Sequence, residues 1–135
     1  MEKRLYQRVP VSLTSNIIIK KDTAENVEYG GTIEDVSENG LKVTFSVSEY
    51  PEISEAIRLG ESISFQSVDR YEVYGKSRMD IFSGSAEVLR VENKEDKITI
   101  GCKITKSSKE YDEYIKNKKA ALFMKRGCSL LFINN

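Results

Sequence analysis

Apolar residues alternate with polar ones from early in the chain. Val9, Val11, Leu13, Ile17 and Ile19 all fall on odd positions, the period of two that a half-buried strand requires. The pattern returns at Val27, Tyr29 and Ile33 after the turn-like KDTAEN. It returns again at Leu41, Val43, Phe45 and Val47 after SENG, whose Ser, Asn and Gly favour a turn. Ser48 to Gly60, with Pro51 and the spaced Ile53, Ile57 and Leu59, reads as a loop carrying one helical turn that Gly60 ends. Alternation resumes at Ile63 and Phe65, Met79 and Ile81, Ala86 and Val88, and Ile98, Ile100, Cys102 and Ile104, which predicts at least three further strands. Six or seven short strands followed by one helix predict an all-β fold, a six- to seven-stranded antiparallel barrel closed enough to keep its sheet edges from water.

The helix is predicted over 107–126. Ser107 is placed to cap the first turn while Glu110 reaches back in a capping box, and Tyr111, Tyr114, Ile115, Lys118 and Leu122 share one face. Acidic residues in the first turns, and Lys125 and Arg126 ahead of Gly127, agree with the helix dipole and with a glycine stop. Its apolar side should plug or flank the barrel. Residues 127–135 then form a tail in which Ser129–Ile133 (SLLFI) is apolar enough to pair or pack. At 135 residues the chain supports one core, so it reads as a single domain over 1–135, with a short arginine-bearing segment (1–8) ahead of a barrel at 9–104.

Composition narrows the function. Hydrophobic residues at 39% and charged residues at 31% place the chain among soluble globular proteins. The charged start MEKRLYQR, and the lack of any apolar run near the roughly 18 residues of a membrane span, predict a cytoplasmic protein with no membrane insertion. Lys plus Arg equals Asp plus Glu at 21 each, so the molecule lacks the basic field that draws nucleic-acid polymers, and any anion site must be local. With no histidine at all, Ser-His-Asp and Cys-His nucleophiles, imidazole metal ligands and the commonest general base at neutral pH are missing. No carboxylate pair stands out in their place, so the reading is no enzyme, no catalytic residue and no metal. Cys102 and Cys128 have neither zinc nor redox spacing; they fit a reduced compartment and leave a disulfide between them open. Gly75-Lys76-Ser77 imitates the end of a P-loop, but Arg70 stands where that motif needs its first glycine, so it reads as a loop.

Two short motifs remain. Arg4-Leu-Tyr-Gln-Arg8 sets two guanidinium groups four residues apart just ahead of the first strand. Guanidinium is planar, permanently charged and forked, suited to phosphate, to guanine O6 and N7, and to stacking on a purine. Between the second and third strands, Asp35-Val-Ser37-Glu-Asn39-Gly40 offers a carboxylate that can accept both hydrogens of a guanine's Watson–Crick edge, a hydroxyl donor, and a glycine that tolerates positive φ or close approach. Taken singly, the first motif also fits a solvated tail and the second a hairpin turn. At average residue usage the ordered pair arises by chance in roughly one chain in a hundred.

RxxxR followed by DxSxxG in this order resembles the signature of the PilZ family, and the strand ending IGCKI and the closing helix resemble it too. The resemblance implies a bacterial receptor for the second messenger cyclic di-GMP, whose N-terminal segment folds over the ligand. It implies that Arg4 and Arg8 clamp phosphate and guanine, that Asp35, Ser37 and Gly40 hold a guanine against the barrel wall, and that Lys3, Tyr6 and Asn39 are further contacts. No cofactor beyond the ligand is expected. The implied output is an effector protein, such as a motor component, a synthase or a regulator, governing motility, exopolysaccharide or attachment in biofilms. A protein-interaction barrel that binds no nucleotide is the alternative. A single-stranded nucleic-acid barrel is a third reading, against which the zero net charge counts.

Overall fold

The structure is a computed structural model that describes residues 8–21 and 25–134, with side chains described through Met124. Six strands form: β1 (Val9–Ile19), β2 (Val27–Val36), β3 (Gly40–Ser46), β4 (Ser62–Val73), β5 (Lys76–Lys94) and β6 (Lys97–Ser107). The short α1 (Ile53–Ala56) lies between β3 and β4, and α2 (Lys109–Asn134) follows β6. All pairings are antiparallel in the order β1-β2-β3-β6-β5-β4, and the ring closes where β1 pairs with β4 from Ser15↔Ser67 to Ile19↔Ile63. Closure leaves no sheet edge around that part of the wall.

Period-two alternation delivers the core. Ile17, Ile19, Ile33, Leu41, Val43, Phe45, Ile63, Ile98 and Ile100 are all essentially inaccessible, each pointing inward between outward-facing neighbours. Two plugs seal the ends. Ile53 and Ile57, in and just after α1, close one; Tyr111, Tyr114 and Ile115, from the first turns of α2, close the other. Tyr111 packs against Phe65 and Phe82 with ring centroids 5.4 and 5.5 Å away, and Tyr114 stacks on Phe82 at 4.3 Å. Among the described residues no helix is long and apolar enough to cross a membrane.

Three expectations need correction. Met79 and Ile81 do not form a strand of their own; they belong to the long β5 and are exposed on its outer side. Alternation says that two residues share a face, not which face is buried. Here β4 and β5 run on as a two-stranded hairpin beyond the closed ring, and its inner face (Tyr71, Phe82) is turned to α2. The helix cap is Ser108, whose Oγ accepts from the Tyr111 amide at 3.0 Å, while Ser107 ends β6; this shift of one residue puts Glu110 out of capping-box position. Finally, α2 continues past Gly127 to Asn134, so 127–134 is helix rather than tail. A glycine inside a helix costs only about 1 kcal/mol relative to alanine, and the leucines at 130 and 131 are good helix formers.

Candidate functional site

The two motifs meet at the end of the barrel that α2 plugs. Pro10 on β1 lies opposite Asp35 on β2, so Arg8, the last residue before β1, emerges beside that carboxylate. Arg8 Nη1 donates to Asp35 Oδ1 at 2.8 Å, across 27 residues of sequence. From the other side Lys42, directly across from Asp35 on β3, brings its Nζ to 3.8 Å from Oδ2. Both carboxylate oxygens therefore face cations. The Arg8 and Asp35 side chains are 33% and 17% exposed, so the pair sits half-buried at the barrel rim.

Asp35 is held in place by the turn that follows it. The Ser37 amide donates to the Gly40 carbonyl at 2.9 Å, and the Ser37 hydroxyl accepts from the Gly40 amide at 3.1 Å while donating to Asn39 Oδ1 at 3.0 Å. Ser37 is only 3% exposed, so its hydroxyl shapes the turn and does not face open solvent. Gly40 has no positive φ; it is needed because a Cβ there would lie 2.9 Å from the Cys102 carbonyl oxygen on β6. Close approach is thus the reason for the glycine, and it draws β3 tight against β6 beneath the motif. The Asn39 carbonyl is also spent, accepting from the Ile104 amide at 2.8 Å.

Helix α2 grips the same turn. The buried Tyr111 hydroxyl donates to the Ser37 carbonyl at 2.7 Å, and Lys119 pairs with Glu38. Burial pushes the Tyr111 phenol well above its ordinary range, so it stays a donor at any physiological pH. Sequence reasoning did not find Lys42, Tyr111 or Lys119. Lys42 carried a weak signal, since it follows Gly40 by two and shares its outward face; the helix residues carried none. Of the sequence-predicted contacts, Arg8, Asp35, Ser37, Asn39 and Gly40 come together, while Lys3, Arg4 and Tyr6 lie outside the described residues.

The decoys resolve as structural parts. Tyr74 and Gly75 both have positive φ (54° and 73°) in the two-residue loop between the paired Val73 and Lys76, the conformation of a type I′ hairpin turn. Cys102 is a free thiol 5% exposed on the inner wall, and burial pushes its pKa up to about 12, so it is unreactive.

A closed six-stranded barrel, plugged by its C-terminal helix and carrying an arginine–carboxylate pair at the rim, defines a small β-barrel domain whose polar site lies outside the core. The sequence matches the family model for the PilZ domain over residues 2–118, and the chain belongs to that family. No curated protein matches the sequence. Among solved structures the fold is similar to the Bacillus subtilis inhibitor of motility MotI/DgrA, with a TM-score of 0.60 and 16% identity over 94% of this chain; the chain spans 53% of that protein. It is also similar to the PilZ domain of Escherichia coli YcgR with c-di-GMP, with a TM-score of 0.55 and 8% identity, covering 96% of this chain and 98% of that one.

Proposed function

We propose that this chain is a non-catalytic receptor for cyclic di-GMP. The observation that carries the reading is the Arg8–Asp35 contact: the two halves of the signature, far apart in sequence, meet at one half-buried point of the barrel rim. The similarly folded YcgR domain, solved with c-di-GMP, supports the choice of ligand. Arg8 occupies the carboxylate that a guanine would need. Such a part-exposed pair is worth about 1 kcal/mol or less, so a guanine presenting N1–H and N2–H to Asp35 displaces it readily. Arg8 has five N–H donors and, among the described residues, spends one on Asp35; once released it can fork onto phosphate or onto guanine O6 and N7.

Arg4 is the second arm of the clamp, and Lys3 and Tyr6 join it when the segment 1–8 orders over the ligand. The ligand favours that ordered state through contacts it makes only there. The reordered rim then signals to an effector protein in motility, exopolysaccharide production or attachment; the similarity to a motility inhibitor supports the first.

Isothermal titration calorimetry with cyclic di-GMP, against GTP and cyclic di-AMP, tests the reading. Selective binding at micromolar or tighter affinity is expected. Charged hydrogen bonds contribute about 1.5 to 3 kcal/mol each, and 1.4 kcal/mol is about tenfold in affinity. Arg8→Ala and Arg4→Ala should therefore each weaken binding roughly ten- to a hundredfold. No heat with a folded parent protein would hand the fold to the interaction-only reading.

A further inference from the structure

The β4–β5 hairpin reaches past the ring, and one of its edges is unused. Among the described residues, β5 pairs with β6 only from Gly84↔Ser107 onward, so from Lys76 to Ser83 no strand lies on its side away from β4. The hairpin turn decides which backbone groups face that side. A two-residue loop makes Val73↔Lys76 a hydrogen-bonded pair, and bonded pairs alternate with non-bonded ones along an antiparallel ladder. Tyr71↔Arg78 and Asp69↔Asp80 are therefore bonded, whereas Ser77, Met79 and Ile81 turn their amides and carbonyls outward. Natural edges are blunted by proline, by bulges or by shortness. Here the β4–β5 register runs from Ser62↔Glu87 to Val73↔Lys76 without a shift, and no proline falls between 62 and 94. On the outer face Val68, Met79 and Ile81 are 46%, 51% and 56% exposed, with Val68 directly opposite Ile81. An unbroken, apolar open edge is a template for another strand.

The edge is complementary to itself. A second copy related by a twofold axis pairs this strand with its own counterpart, antiparallel. With Met79 on the axis, each β5 ends just short of the point where the other copy's β6 begins, so the open stretch is filled from end to end. The same register sets Ser77 against Ile81 and, on the inner face, Arg78 against Asp80, each twice over. Moving the axis one residue either way still lets the outward amides and carbonyls meet, but it puts Arg78 opposite Arg78 or Asp80 opposite Asp80. Opposite charges facing each other across strands stabilise a sheet and like charges destabilise it. Length and charge therefore select one register. Arg78 already donates Nε to its own Asp80 at 2.9 Å, and its side chain is 39% exposed. A guanidinium has five donors, enough to hold that carboxylate and the second copy's as well.

We infer that two copies of this chain associate through the open β5 edge, joining their hairpins into one four-stranded antiparallel sheet, β4-β5-β5-β4, with Met79 on the twofold axis. The apolar outer faces of the two hairpins become continuous across the axis, where one Met79 packs against the other. A single strand pair buries less than the about 1,000 Å² of a stable interface, so the dimer forms and dissociates with concentration. The edge includes no residue of either signature motif, and the dimer is independent of the receptor reading.

Sedimentation velocity and cross-linking test it. From about 10 µM to about 1 mM, the range of a weak interface, the parent is expected to pass from monomer to dimer. Arg78→Asp sets two carboxylates opposite each other at both places and should weaken association about tenfold or more. Met79→Cys, made with Cys128→Ser so that the other remaining thiol is the buried Cys102, tests the register through an exposed side chain. Residues opposed in a bonded pair have Cα atoms about 5.5 Å apart, within disulfide range. Ser77→Cys in the same background is offset from its copy by four residues, about 14 Å. Met79→Cys should therefore oxidise to a covalent dimer and Ser77→Cys should not. A parent that stays monomeric over the whole range would overturn the inference. So would an association that Arg78→Asp leaves intact, or a Met79→Cys protein that cross-links no more readily than Ser77→Cys.

Discussion

Among the described residues, helix α2 makes two sets of polar side-chain contacts with the barrel, and the richer one is not at the candidate site. At the β4–β5 hairpin, Tyr114 donates to Asp69 at 2.7 Å, Lys118 reaches the same carboxylate at 3.1 Å and lies 4.7 Å from the Tyr71 ring centre, and Tyr71 pairs with Asp80. Asp69 and Asp80 are each only 11% exposed at the side chain, and Phe82 stacks beneath. At the signature turn the helix makes, among the described residues, one buried hydrogen bond, Tyr111 to Ser37, and one rim ion pair, Lys119 to Glu38. In the hairpin network, charges face partners drawn from the fold and are spent on joining helix to sheet. Around Asp35, two cations share one part-exposed carboxylate and, among the described residues, have donors without a partner. The density of polar contacts therefore measures how firmly α2 is attached; a site is recognised by the groups that the fold leaves partly unsatisfied.

The largest effect should come from the attached end. Phe82 is 1% exposed between Phe65, Tyr111 and Tyr114, and Phe82→Ala should cost about 3 to 5 kcal/mol in urea unfolding, by lost burial and the cavity left behind. The folded fraction should still bind cyclic di-GMP within a few-fold of the parent. A loss of affinity as large as that of Arg8→Ala would break the distinction between the two ends.

Tyr111→Phe probes the other end. It strands the Ser37 carbonyl, buried with its turn, and should cost about 1 to 3 kcal/mol. Because that carbonyl belongs to the turn that positions Asp35, binding should weaken too. Stability lost with affinity untouched would show that the signature turn holds its shape without the helix.

How far each end was legible follows from the same physics. Strands were readable because burial of one face imposes period two, and Ile17, Ile33, Val43 and Ile100 all sit where alternation put them. Arg8 and Asp35 were readable because their motifs are local in sequence. Contacts across strands were not, because they depend on register, and register shifts between Pro10 and Leu13, Ile33 and Asp35, and Val88 and Arg90. No periodicity predicts those bulges, so the pairing of Lys42 with Asp35 stayed invisible. Tyr111 and Ser37 lie 74 residues apart and meet only once the ring is closed. The helix cap was missed by one residue because Ser107 and Ser108 carry the same local signal, and only the end of β6 separates them.

A smaller effect separates the barrel interior from both ends of α2. Burial raises the Cys102 thiol from 9.0 to about 12, so the folded state keeps its proton where the unfolded chain loses it. The stability this gives is complete below pH 9 and disappears as pH rises from 9 toward 12. At pH 10, about one unit into that window, the thiol alone should account for roughly 1 kcal/mol of lost stability. The raised phenols of Tyr29, Tyr71, Tyr111 and Tyr114 act in the same direction from pH 10 upward. Comparing urea unfolding at pH 8 and pH 10 in the parent and in Cys102→Ala isolates the thiol. An identical pH dependence in the two proteins would contradict its burial on the inner wall.

The smallest effect sharpens the comparison most. Lys119 and Glu38 are 30% and 37% exposed at the side chain, so their pair is screened by water and salt, and Lys119→Ala should cost less than about 1 kcal/mol of stability. Glu38 nonetheless lies inside the signature, between Ser37 and Asn39, and Lys119 is the only α2 side chain among those described that pairs with it. Removing the lysine leaves an acidic residue uncompensated beside the site proposed to accept a dianionic nucleotide. Cyclic di-GMP affinity should therefore fall by a few-fold at low salt, and the difference from the parent should shrink as ionic strength rises and the Debye length drops below about 10 Å. A salt-independent loss would mean that Lys119 acts by holding the turn in shape, which would make α2 a structural partner of the site at both of its contacts.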